Sequence, residues 1–115
     1  MKKLFFLVIL LIPVTSNALS KRSINGNDRE KDCRIYSEIA NNIFKKKQSG
    51  YPVSKALEDN DLSFEKNKDE DMYRVVGMII SDAYAQPSYD SATVNSKKLS
   101  EFTEKYYLGC LEMYK

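Results

Sequence analysis

Apolar residues are distributed along this chain in two unlike ways. Residues 4–12 (LFFLVILLI) form an unbroken hydrophobic run after the charged start Met1-Lys2-Lys3. Beyond residue 29 the apolar positions recur every three or four residues, the spacing that lines one face of a helix. Cys33, Tyr36, Ala40, Ile43 and Phe44, with Ile39 beside them, predict a first helix over residues 30–47. Ser49-Gly50 ends it, and Lys45, Lys46 and Lys47 suit the negative end of its dipole. Ser54 is a candidate N-cap for a short helix that carries Ala56 and Leu57 and stops near Asn60.

Residues 61–68 read as charged and irregular, with Leu62 and Phe64 as their apolar anchors. Asp69-Glu70-Asp71 then open a helix over residues 69–86, carrying Met72, Val75, Val76, Ile79, Ile80, Ala83 and Tyr84. Pro87 stops it, and residues 88–95 read as a loop holding Tyr89. Leu99, Phe102, Tyr106, Cys110 and Met113 share one stripe of a last helix over residues 96–114. Alternation with period two is never sustained. The pattern therefore specifies an all-α fold: a small helical bundle of three main helices plus one short helix, tied by one disulfide.

The opening run is too short for a permanent membrane anchor. Pro13 follows it, and Ser16-Asn17-Ala18 supplies the small residues of a cleavage site, so residues 1–18 read as a signal peptide. Residues 19–29 are polar and read as a flexible N-terminal arm, and residues 30–115 as the helical domain. No cysteine follows the cut, which argues against a lipid anchor. The expected location is periplasmic or secreted.

Lys2 and Lys3 account for the formal net charge of +2 and leave with the leader. The mature chain is then near neutral, which argues against nucleic acid and against a membrane surface as partners. The absence of histidine and tryptophan excludes Ser-His-Asp and Cys-His catalysis, histidine-ligated zinc and the usual sugar-stacking platform. No other catalytic arrangement is recognisable, so the chain is not expected to be an enzyme.

Cys33 and Cys110 both fall on apolar stripes, one early in the first helix and one late in the last. Antiparallel packing of those helices would bring the sulfurs together at one end of the bundle. Closing so long a segment contributes roughly 4 kcal/mol in the chain-entropy account. A redox pair would more often be C-x-x-C with one sulfur accessible, so the pair reads as a staple.

Two further constellations stand out. Read as a twelve-residue calcium loop, residues 59–70 place Asp59, Asp61 and Ser63 at the first three ligand positions, then Glu65 through its carbonyl, Asn67 and Glu70. Phe64 stands where the turn needs glycine, and Lys66 where an apolar residue packs. Calcium is the only cofactor the sequence raises. The chain also has eight tyrosines, all beyond the leader. Tyr36, Tyr84 and Tyr106 suit the core, whereas Tyr51, Tyr107 and Tyr114 are candidates for contact with a partner protein.

Cys33 with Ile39-Ala40, Gly50-Tyr51-Pro52, Ala83-Tyr84 with Pro87, and Phe102, Tyr106-Tyr107 and Cys110 form a pattern spanning most of the mature chain. It resembles a group of small exported proteins of bacteria and their phages. The resemblance implies a helical, disulfide-tied periplasmic domain and carries no activity with it. In architecture alone the chain is similar to periplasmic immunity proteins of secreted amidase effectors and to acid-stress chaperones. These features favour an exported binding module of immunity or inhibitor type, or a modulator of an envelope enzyme. The alternatives are a periplasmic chaperone or stress protein and a calcium-dependent binding domain.

Overall fold

A computed structural model describes residues 26–114. The expected leader and cleavage site, and residues 19–25 of the expected arm, lie outside the described residues. Four helices follow one another: α1 (Gly26–Gln48), α2 (Val53–Asn67), α3 (Glu70–Tyr84) and α4 (Ala92–Met113). There is no strand among the described residues. The chain divides between Asp32 and Cys33. Residues 26–29, expected to belong to the arm, lie instead in the opening turn of α1, and the bundle runs from Cys33 onward.

α1 stops as its sequence dictates. Gly50 takes φ 95°, which a glycine adopts without a Cβ penalty. The Tyr51 N–H then bonds the Lys46 carbonyl at 2.9 Å and the Gly50 N–H that of Lys47 at 3.1 Å, the paired closure of a Schellman end.

α2 departs from expectation at both ends. Pro52, not Ser54, is its N-cap, and the helix continues through the supposedly irregular stretch to Asn67. It is therefore as long as α3, each having 15 residues. Tertiary contacts override the weak local propensity. Ala56 and Asn60 are buried, the Asn60 side chain bonds α3, and the Phe64 ring lies 4.7 Å from that of Tyr73. Lys68 ends α2 in the left-handed region (φ 57°), its N–H on the Phe64 carbonyl at 2.7 Å.

Asp69 caps α3, its carboxylate accepting from the Met72 N–H at 3.0 Å. α4 begins four residues earlier than the apolar stripe indicates, because Ser91 accepts from the Val94 N–H at 3.3 Å.

The core is a cluster of Ala40 and Phe44 from α1, Ile79 and Ala83 from α3, and Phe102 from α4. The Phe44 ring meets those of Phe102 at 5.2 Å and Tyr89 at 6.3 Å. α1 and α4 run antiparallel, as the Asn41–Thr103 side-chain bond (3.1 Å) and the Cys33–Cys110 disulfide show. The disulfide joins Cα atoms 5.4 Å apart across a sequence separation of 77. Cys33 is fully buried and Cys110 nearly so. A persistent disulfide indicates an oxidising, non-cytoplasmic location. Among the described residues, no helix is long and apolar enough to cross a membrane.

Candidate functional site

α2 pairs closely with α3, and a groove of about 350 Å³ runs between α1, α2 and α3. Ile39 and Ile43 of α1 form one wall, Ala56, Asn60 and Ser63 of α2 the other, and Met72, Val76 and Ile80 of α3 the floor. Ile39, Ile43, Met72 and Val76 are all only partly buried, so apolar surface that periodicity assigns to the core is open here.

One end is closed by a chain of hydrogen bonds. The Tyr84 hydroxyl donates to the Tyr51 carbonyl at 2.6 Å, and the Tyr51 hydroxyl donates to the Asp59 carboxylate at 2.6 Å. Lys46 stands 4.0 Å from that carboxylate and 4.8 Å above the Tyr51 ring. The bond to Asp59 raises the Tyr51 hydroxyl above the ordinary phenol range. Burial, then the Asp59 charge, raises Tyr84 likewise. Both hydroxyls are therefore donors at neutral pH and neither can act as a base.

Asn60 is the buried polar group of the groove, 8% exposed. Its Nδ2 donates to the Tyr73 carbonyl at 3.0 Å. The sequence reading took Asn60 as a helix end. The available signal was that it shares the stripe of Ala56 and Ser63, four before and three after it.

The candidate calcium residues are not brought together. Asp59, Asp61, Ser63 and Glu65 lie on helix α2, where alternate residues fan around the axis instead of converging as in a loop, and Glu70 opens α3. Asp59 accepts from Tyr51, Asp61 from Tyr73 at 2.7 Å, and Ser63 from Asn67 at 3.3 Å. Among the described residues, no three His, Cys, Asp or Glu side chains are grouped to hold a metal ion. The candidate partner-binding tyrosines also separate. Tyr51 lines the groove, Tyr107 lines a shallower depression between α1 and α4, and Tyr114 caps the end of α4.

A second polar cluster joins α3 to α4. Asp82 accepts from Lys105 at 2.5 Å and from Tyr106 at 2.7 Å, with Gln86 at 3.5 Å. Burial pushes the Asp82 carboxyl up, but the bonds from Lys105 and Tyr106 outweigh it and hold it below the usual range. Burial and the bond to Asp82 push the Tyr106 hydroxyl far above the phenol range. This cluster was missed in sequence. Its signal was an acid in the last turn of a helix, where the dipole disfavours one without a cationic partner. Lys105 and Tyr106 of α4 both donate to the Asp82 carboxylate of α3, so the cluster clamps the two helices.

No protein-family model matches the chain, and neither a curated protein nor a solved structure is significantly similar to it.

Proposed function

We propose that the chain is an exported, non-catalytic protein-binding module, acting as an inhibitor or immunity protein or as a modulator of an envelope enzyme. The observation that carries this reading is the α1–α2–α3 groove, an open apolar channel whose end is fixed by the Tyr51–Asp59–Lys46 contacts. A concave apolar surface with a few fixed polar groups is the form of a recognition site. Tyr51 supplies rigid contact area at its rim, as tyrosines do at interface hot spots. The signal-peptide pattern of residues 1–18 and the buried disulfide support export to the periplasm or beyond.

The test is comparative capture from an envelope extract with the native protein and with Ser63→Phe, which fills the groove from an exposed position of α2. The expected result is a partner retained by the native chain and lost by the variant at unchanged helicity. A partner held equally by both would place recognition elsewhere, and no partner at either high or low salt would remove the reading.

A further inference from the structure

We propose that the first two turns of α4, residues 92–98, are a gate that unwinds locally from the folded bundle, released by an unpaired buried oxygen of Asn95, while the chain on both sides stays fastened. The inference is independent of the groove and does not rest on the binding-module reading. It starts from Asn95, whose Oδ1 is buried with no hydrogen-bond partner among the described residues. Buried acceptors are nearly always paired, and an orphan raises the free energy of the closed form. Opening lets water supply the missing donor, so this atom favours release.

Little else holds the segment closed. In residues 90–98 only Asn95 and Lys98 are even half-buried, and Val94 is 43% exposed. Thr93, Val94, Asn95 and Ser96 are four consecutive residues of low helix propensity. α4 also has no acidic residue in its first turn to complement the helix dipole, whereas α3 has Glu70 and Asp71 there.

Both flanks are anchored. Before the segment, the Tyr89 N–H donates to Gln48 Oε1 at 3.1 Å, and the Gln48 Nε2 donates to the Pro87 carbonyl at 2.9 Å. The Tyr89 ring stacks on Phe44. After the segment, Leu99 packs against the core, Phe102 lies within it, and Tyr106 bonds Asp82. A stretch with few buried contacts between better-held neighbours is where local opening occurs. Asn95 forms part of the wall of a cavity of about 190 Å³ between the end of α1 and α4, with Phe44, Lys45, Gln48, Ser49 and Leu99 as the rest of its lining. Opening therefore takes away one wall of that cavity.

Native-state hydrogen exchange on the full, oxidised chain tests the gate. The Asn95 N–H bonds the Ser91 carbonyl at 2.8 Å and the Tyr73 N–H that of Asp69 at 3.0 Å, each four residues past its helix cap. Residues 95–98 of α4 and 73–76 of α3 thus occupy equivalent positions, which controls for ordinary fraying. We expect amides 95–98 to exchange roughly tenfold faster than 73–76 and roughly a hundredfold faster than 103–110. Low urea should change their exchange little, because a local opening exposes little surface. Asn95→Leu removes the orphan and should slow exchange of 95–98 roughly tenfold, leaving 103–110 unchanged. Ser96→Ala, at an exposed position, gains helix propensity alone and should slow it less. Exchange of 95–98 no faster than that of 73–76, or with the urea dependence of global unfolding, would overturn the gate. Equal slowing by the two variants would overturn Asn95 as its release, and with it the proposal.

Discussion

The side-chain amide of Asn60 bonds the main-chain carbonyl of Tyr73 at 3.0 Å, and this link holds α2 against α3 through the stretch where local sequence would let the helix end. Asparagine is a poor residue for a helix interior, so its presence there needs tertiary support. Asn60→Ala should therefore destabilise the fold by about 1–2 kcal/mol despite the better intrinsic propensity of alanine. That corresponds to a fall in Tm of roughly 5–10 °C for a domain of this size. An unchanged thermal transition would show that ring packing of Phe64 on Tyr73 suffices.

The disulfide is the second structural commitment. Cys33 and Cys110, both buried residues, fasten α1 to α4, so reduction should be slow in the native state. The double variant Cys33→Ala/Cys110→Ala should lose about 4 kcal/mol by the chain-entropy account. Against a total of about 5–15 kcal/mol expected for small domains, the urea midpoint should fall steeply. A midpoint close to that of the native protein would show that the helices hold without their staple.

The same two features mark how far the fold was legible. The stop of α1 at Gly50, the acidic helix start at Asp69-Glu70-Asp71 and the stripes carrying both cysteines are local signals, and the structure bears them out. Asn60 and Asp82 act through partners on neighbouring helices, which no local spacing encodes. Ser91 is a local signal masked by the polar residues that follow it before the apolar stripe begins. The groove was illegible for a related reason. Ile39 and Ile43 lie on a proper helical stripe, but periodicity does not reveal that the facing helix stands off from them.

Asp82 sets an acid limb to the stability profile. Its folded-state carboxyl lies below the ordinary range, so the contribution is complete above the unfolded carboxylate range, about pH 4. It is lost as pH falls through the lower folded value. Lys105, Tyr106 and Gln86 face it from α4 and from the end of α3, and the first two strengthen only the charged form. A titration from pH 7 to 2 with an apolar dye should show α3 and α4 separating, and Asp82→Asn should flatten that limb while lowering stability at pH 7. The dye transition would also be the first requirement of the chaperone reading. A native-like acid limb in Asp82→Asn would assign acid sensitivity to other carboxylates.

Tyr106 tests the same clamp from its other side. Its ring packs 5.1 Å from Phe102 in the core while its hydroxyl reaches Asp82, so one substitution separates the two roles. Tyr106→Phe keeps the ring and should cost about 1–3 kcal/mol, because a charged carboxylate loses a donor in a partly buried setting. Lys105→Ala should cost less, since its ammonium is well exposed and water can replace it. The folded-state Tyr106 hydroxyl titrates well above a free phenol, so its contribution is complete below about pH 10 and is lost only as pH rises toward that higher value. The alkaline limb should therefore shift in Tyr106→Phe while the Cys33–Cys110 end stays closed. A double-mutant cycle with Asp82→Asn should return a coupling of at least about 0.5 kcal/mol, and additive losses would mean that the hydroxyl and carboxylate act independently.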